Sequence, residues 1–442
     1  MMNYDVGIIG AGPAGLTAAF ALQAAGQRVI IVEDYLWGGT CPNYGCDPKK
    51  ILLAAVQAKE QVGWLQDSGL VGEPTIDWPQ LMTHKMAYTD PVPARKIANL
   101  DEAGVTHKYG HAKFIDDTTV TLGSEQVTAN KWIIATGTQP ARLAVPGDEY
   151  LQDNEDFLNL PILPAEIAFI GTGFIAIEFA NIAAAAGAKV HIIARQHRIL
   201  REFDQELTQD IIDQMTARGI IFHWDFETAE VTKTVDNQLV ITATNQETVI
   251  VEQAFVATGR IGNTAMLNLA AAKIAVIATE VQVNEYLQTT NPNVYAIGDV
   301  NNTNVAKLTP TASFEARYVA QHILGQISTP ISYPAVPTMV YGSPQLGQVG
   351  LTADEAYRQG ITVQAFDMTP WLAYWRAKEP VAKAKVMLNA DGVIVGATVL
   401  SSHADELINY FMLAINHRYD KQALQQNIYA YPSLGSDLGF FF

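Results

Sequence analysis

Short β-branched apolar runs alternate with alanine-rich stretches along this chain, separated by glycine-rich or small polar turns. That alternation predicts a parallel sheet covered by helices. Tyr4–Ile9 reads as a buried strand, Gly10–Gly15 as a turn, Leu16–Ala25 as a helix and Val29–Glu33 as the returning strand. The same order recurs at Ile167–Ile170, Gly171–Ala176, a helix running to Ala186, and Val190–Ala194. Two βαβ units follow from the repeat. Further on, Leu239–Thr242 is strand-like and Ser313–Leu324 helical, and Pro330, Pro334 and Pro337 mark a boundary. Beyond it Leu346–Gly350, Ala382–Leu388 and Val393–Leu400 predict strands, and Asp405–His417 an amphipathic helix. A smaller α+β domain closes the chain.

Length and composition narrow the class of protein. The 442 residues suffice for about three domains of ordinary size. With 49% apolar and 17% charged residues the chain is neither disordered nor fibrous. Its 28 Lys and Arg against 45 Asp and Glu give a net charge of −17, which repels phosphate backbones and anionic lipid. No nucleic acid or membrane partner is expected. Val6–Ala25 is mostly apolar, but Asp5 precedes it, no cationic region stands before it, and glycines interrupt it. It therefore reads as neither signal peptide nor membrane span, and a cytoplasmic protein is expected.

Each glycine turn sits between strand and helix, where close backbone approach and a helix N-terminus suit a dinucleotide pyrophosphate. The first offers Gly10, Gly12, Pro13, Ala14 and Gly15; the second offers Gly171, Gly173 and Ala176. Glu33 ends the first unit, and a carboxylate there accepts hydrogen bonds from an unphosphorylated ribose, as in FAD or NAD. Arg195 ends the second, with Arg198 and Arg201 nearby, and cations there suit the 2′-phosphate of NADPH. The alternative is that these arginines only solvate a loop. Between the two units lie the chain's two cysteines, Cys41 and Cys46, within Gly38–Lys50. They are too few for a disulfide framework or a structural zinc site, and their closeness suggests redox chemistry. On a regular helix this spacing would hold them too far apart for a disulfide, so Pro42 and Gly45 must bend the backbone. A helix from about Pro48 would then favour a thiolate. Two buried core cysteines are the alternative.

These residues resemble the FAD-dependent pyridine nucleotide-disulfide oxidoreductases, the group of glutathione reductase, dihydrolipoamide dehydrogenase and mercuric reductase. The resemblance runs nearly end to end and includes Ala135-Thr136-Gly137, Ala257-Thr258-Gly259-Arg260, Ile297-Gly298-Asp299 and Leu308-Thr309-Pro310 in the family's order. It implies an α/β fold with two Rossmann-like dinucleotide-binding domains plus a C-terminal α+β dimerisation domain. The parts would be 1–147 and 261–330 for FAD, 148–260 for NADPH, and 331–442 for dimerisation. It also implies FAD held by the first turn, by Glu33, Gly39 and Thr40, by Ala135, Thr136 and Gly137, and by Asp299, Leu308 and Thr309. NADPH would lie against the second turn, Phe174, Arg195, Arg201 and Gly259. No metal is implied. Lys49 matches the lysine beside the flavin, and Glu178 the glutamate that pairs with it. Cys46 would face the flavin and Cys41 would attack the acceptor.

Several positions depart from the family's pattern. Its disulfide reductases end with a His-Pro-Thr segment that reaches a partner subunit; here the segment reads Tyr431-Pro432-Ser433-Leu434-Gly435-Ser436-Asp437. A phenol, with a pKa of about 10, is a poorer base for a thiol than an imidazole at about 6.5. Phe20 stands where glutathione-reducing members carry an arginine, and no further cysteine follows Cys46 to hand over mercury. Asp47 replaces a usually apolar residue and reads as a solvated turn residue or a binding group. Trp371, Tyr374 and Trp375 are expected in an interface or core. The expectation is a homodimeric NADPH-dependent flavoprotein in which Tyr431 of one subunit faces Cys41 of the other, with a small-molecule acceptor: a disulfide, a metal ion or a quinone. A flavin-bound redox sensor with little turnover is the rival.

Overall fold

In this computed structural model, which describes residues 2–441, the strand Met2–Ile9 pairs in parallel with Val29–Glu33 on one side and Glu125–Ile134 on the other. Thr106–Tyr109 extends that sheet past Val29–Glu33, and Val294–Ala296 pairs in parallel with Glu125–Ile134. Thr119–Leu122 and Ala112–Phe114 add an antiparallel edge. Val29–Glu33 is buried along its whole length, as a strand with both faces covered must be. The helices Pro13–Ala24 and Thr309–Ile323 share one core with this sheet, in which Ala18, Ala19, Leu22, Ala316 and Val319 are buried beside Ile31 and Ile133. These elements belong to a compact unit made of the residues up to Lys49, His84–Ala141 and Arg260–Tyr333.

A second compact unit comprises Lys50–Thr83, Arg142–Gly259 and the residues from Pro334 onward. It repeats the βαβ arrangement: Ile221–His223, Lys189–Ile193, Glu166–Ile170 and Gln253–Val256 form a parallel sheet in that order. The helix Phe174–Ala185 connects the two central strands and buries Ala176, Ile177, Phe179 and Ala180. Three antiparallel strands, Thr228–Lys233, Leu239–Ala243 and Thr248–Val251, follow. The last stretch forms a five-stranded sheet in the order Thr338–Val340, Gln345–Gly350, Ile394–Ser401, Lys383–Leu388, Thr362–Asp367. The helix Ala404–Asn416 places Leu407, Ile408, Phe411 and Ala414 in the core it shares with that sheet. The fold is thus α/β with two Rossmann-like units and a C-terminal α+β domain.

Three helices start earlier than expected: at Pro13 rather than Leu16, at Thr309 rather than Ser313, and at Cys46 rather than about Pro48, each with a proline in its first turn. One physical reason covers them. The first-turn N–H groups of a helix have no partner within it, so a proline costs nothing there and its fixed φ suits the first turn. The aromatic cluster divides: Tyr374 is buried, Trp371 packs on Phe366, Phe440 and Phe441, and Trp375 is exposed. Phe20 is partly buried against the core of the first unit. Among the described residues no helix is long and apolar enough to cross a membrane.

Candidate functional site

Two helices carry the cysteines. Cys41 lies in the single turn Thr40–Tyr44, and Cys46 opens the long helix Cys46–Trp64. Gly45 makes the bend between them, with φ −137 and ψ −114, and no larger residue fits there. A Cβ on Gly45 would lie 2.9 Å from the Thr40 carbonyl oxygen and 3.2 Å from the Cys41 Cα. Asn43, buried, holds the approach to this bend by donating from Nδ2 to the Gly39 and Trp37 carbonyls at 2.8 and 3.2 Å.

Both cysteines are free thiols, and their surroundings separate them. Cys46 Sγ lies 3.8 Å from Thr309 Oγ1, and Cys41 Sγ lies 3.8 Å from Asp47 Oδ1. The hydrogen bond that Cys41 donates to Cys46, the charge of Lys49 and the Thr309 hydroxyl together outweigh desolvation and Asp47, and pull the Cys46 thiol down to about 6. The same Cys41–Cys46 bond, desolvation and the neighbouring anions push the Cys41 thiol well above the usual range. The pair thus holds one proton on Cys41 and one negative charge on Cys46.

The first glycine turn and its carboxylate sit in the same unit. Glu33 is buried, with Oε2 accepting from the Ala11 N–H at 2.7 Å and Oε1 from the Asp34 and Tyr35 N–H groups at 3.0 and 2.9 Å. Burial raises its carboxyl pKa, and these amides oppose that rise. The backbone of Gly39 passes so close to Gly12 that a Cβ on Gly39 would fall 2.6 Å from the Gly12 Cα. Gly10, Pro13, Ala14, Gly15 and Thr40 flank this passage. Ala135 is buried next to Thr136, whose buried Oγ1 has no hydrogen-bond partner, and Gly137 follows at φ +63. Asp299, in the turn Gly298–Val300, has its carboxyl raised by burial, opposed by the charges of Arg260 and Lys307 and by the Thr138 hydroxyl. Leu308 caps the helix that Thr309 begins. A narrow glycine passage, a fixed carboxylate and an unpartnered buried hydroxyl fit FAD.

The remaining candidates belong to the second unit. Gly171, Gly173 and Ala176 span the second turn, and a Cβ on Gly173 would meet open space. Phe174 is half-exposed at the first position of its helix. Glu178 is fully buried, and its Oε1 accepts from the Tyr341 N–H at 2.7 Å. Arg195, Arg198 and Arg201 are exposed on the loop after Lys189–Ile193, and Gly259 ends this part of the unit. Tyr431 is 77% exposed, between the helix Lys421–Gln425 and the turns of Leu434–Phe440.

Two supporting residues escaped the sequence reading. Glu315, buried in Thr309–Ile323, accepts from the Gly298 N–H at 2.6 Å, from Asn301 Nδ2 at 2.8 Å and from the Tyr333 hydroxyl at 2.7 Å, and so fixes the Asp299 turn. A glutamate among the core-facing positions of an apolar helix was the available signal. Tyr88 donates from its hydroxyl to Asp47 Oδ2 at 3.0 Å. A tyrosine 41 residues away in sequence carries no such signal.

Comparison with known proteins identifies the family. Residues 4–316 match the pyridine nucleotide-disulphide oxidoreductase family, and residues 336–439 match its dimerisation domain. The chain is 31% identical to the glutathione reductase of a Nostoc species, over 98% of this chain and 97% of that protein. It is 32% identical to the mercuric reductase of Staphylococcus aureus, over 99% of this chain and 81% of that protein. Among solved structures it is similar to the Cu(II) complex of RclA, the HOCl-induced flavoprotein disulfide reductase of Escherichia coli. There the TM-score is 0.91 at 25% identity, covering 100% of this chain and 99% of that one. The chain belongs to the pyridine nucleotide-disulphide oxidoreductases. It is a flavin-dependent enzyme that uses FAD and a pyridine nucleotide, and it carries the family's dimerisation domain.

Proposed function

We propose that the protein is a cytoplasmic, homodimeric reductase that takes electrons from NADPH and delivers them through Cys41 and Cys46 to a small acceptor. The observation that carries this reading is the pair of free thiols that the Gly45 bend sets on adjoining helices, with Cys46 Sγ 3.8 Å from Thr309 Oγ1, its pKa drawn down and that of Cys41 pushed up. FAD, when bound, supplies the two-electron carrier between nicotinamide and sulfur. Gly10, Gly12, Pro13, Ala14, Gly15, Gly39 and Thr40 would cradle its pyrophosphate, and Glu33 its ribose. Ala135, Thr136, Gly137, Asp299, Leu308 and Thr309 would hold the remainder. Gly171, Gly173, Phe174, Ala176 and Gly259 would line the nicotinamide dinucleotide, with Arg195 and Arg201 on the 2′-phosphate. Lys49 would keep a cation near the site of electron transfer, and Glu178 would be the acid among the catalytic residues. Cys41 attacks the acceptor and Cys46 resolves the product by closing the disulfide. Tyr431 of the second subunit would face Cys41.

Anaerobic titration with NADPH or NADH, followed by a panel of disulfides, metal ions and quinones, tests this on the parent and on Cys41→Ser. NADPH should generate a thiolate-to-flavin absorption band that an acceptor discharges only when Cys41 is present. Equal discharge of the Cys41→Ser protein would remove the dithiol from the path. Failure of both nucleotides to reduce the flavin would replace the reductase by a sensor.

A further inference from the structure

The acid beside the cysteines has a definite arrangement. Asp47 is the second residue of the helix Cys46–Trp64, and its two oxygens face different partners. Oδ1 lies 3.8 Å from Cys41 Sγ, and Oδ2 accepts from the Tyr88 hydroxyl at 3.0 Å. Tyr88 is itself held. Arg95 lies over its ring at 5.4 Å and donates from Nη2 to the Tyr88 carbonyl oxygen at 3.3 Å. Arg95, Tyr88, Asp47 and Cys41 thus form a continuous chain of contacts within one compact unit.

We propose that Asp47, oriented by Tyr88, holds and returns the proton of Cys41 during acceptor reduction, so that this chain supplies the acid and base for its own thiol. The proposal rests on the reading of Cys41 as the acceptor-facing sulfur. The negative charge of Asp47, 3.8 Å from Cys41 Sγ, disfavours a second anion at Cys41, which leaves the negative charge of the pair on Cys46. With a disulfide as acceptor, the Cys41 proton passes to Asp47 Oδ1 as Cys41 Sγ bonds to one acceptor sulfur. The acceptor S–S bond breaks, and the departing thiolate takes the proton back from Asp47. The Cys46 thiolate then attacks Cys41 Sγ, forming the Cys41–Cys46 disulfide and releasing the second thiolate, which takes a proton from water. Two electrons leave the cysteine pair, and one proton is drawn from solvent. Tyr88 is an orienting group here: its bond to Asp47 raises the phenol pKa, so it stays a donor and leaves Oδ1 for the thiol. The other groups around the thiols are Cys46 and Lys49 on the same helix, Thr309 on the helix it begins, and Arg95 behind Tyr88.

Alkylation of each cysteine by iodoacetamide in the reduced holoenzyme, resolved by peptide mass spectrometry, reads the proton on Cys41 without turnover. Asp47→Asn should raise the Cys41 alkylation rate at pH ~8 by about tenfold, equivalent to one pKa unit, and leave Cys46 within about twofold of the parent. Disulfide turnover by the same variant should fall on the order of 100-fold. Asp47→Glu, which keeps the charge, should return the alkylation rate toward the parent's. Tyr88→Phe, which removes only a hydroxyl from an exposed side chain, should move both readouts the same way by less. Cys41 alkylation unchanged in both Asp47→Asn and Tyr88→Phe would overturn the proposal, as would an equal rise at both cysteines, the mark of a loosened loop. If the parent reduces no acceptor through Cys41, the functional reading fails, yet the alkylation rates still decide whether Asp47 holds the proton.

Discussion

Two thiols of the same intrinsic acidity end in opposite protonation states because a few ångströms change what each one faces. Cys46 receives a hydrogen bond from Cys41 and the field of Lys49, and touches Thr309; these outweigh the burial that would otherwise keep it protonated. A group whose pKa is lowered to about 6 is an anion above that value and becomes neutral as pH falls through it. In the FAD-loaded, two-electron-reduced enzyme, the thiolate-to-flavin absorption should therefore be flat near neutrality and fade below about pH 6. The full positive charge of Lys49 acts on the thiolate more strongly than the neutral hydroxyl of Thr309, so Lys49→Met should move the midpoint upward by more than Thr309→Val does. Spectra recorded across the pH range check this. A larger shift for Thr309→Val, or a midpoint near that of a free thiol in the parent, would mean that the charge of Lys49 does not reach Cys46.

The two βαβ turns are built alike but differ in tightness. In the first, the helix Pro13–Ala24 comes so near the preceding strand that a Cβ on Gly15 would lie 1.9 Å from the Gly10 carbonyl oxygen. In the second, the equivalent place holds a methyl group, that of Ala176, which is fully buried. Gly15→Ala should accordingly open the first turn and lose FAD, read as flavin absorbance per protein after gel filtration. Ala176→Gly should keep its nucleotide and cost about 1 kcal/mol in thermal unfolding, the usual penalty of glycine inside a helix. Retention of stoichiometric flavin by Gly15→Ala would show that the turn relaxes without consequence. This level of structure was the most legible in the sequence, because a strand, a glycine turn and a helix are consecutive and carry their own periodicity. The helices that begin at Pro13 and Thr309 start before the expected Leu16 and Ser313 because a proline reads as a break, whereas in a first turn it is neutral. Asp47 could be singled out as an unusual residue, but its link to Tyr88 depends on tertiary folding that no local pattern encodes. The hold of Glu315 on the Gly298 turn was hidden for the same reason.

At the scale of the whole molecule, the dimerisation domain at residues 336–439 leaves several large apolar side chains exposed on a chain with a net charge of −17. Leu372, Trp375, Tyr410, Leu413 and Tyr431 are each more than 40% exposed, while Tyr374 and Phe441 of the same region are fully buried. If a second copy covers these side chains, as the dimerisation domain leads one to expect, a charge placed among them should disrupt the dimer. Trp375→Glu, which places a charge on that surface, should shift the protein from dimer to monomer in analytical ultracentrifugation. The sharper consequence concerns Tyr431. If it serves the Cys41 site of the other subunit, Cys41→Ser and Tyr431→Ala chains should each be impaired alone and complement when mixed. Random exchange puts half of the dimers in the mixed form, and in a two-fold dimer each of these has one intact site, so about a quarter of the parent activity should return. Full activity of Tyr431→Ala by itself would remove Tyr431 from the site. Impairment of both variants with no recovery on mixing, once subunit exchange is verified, would place Cys41 and Tyr431 in the service of the same chain, and the dimer would then be a matter of stability alone.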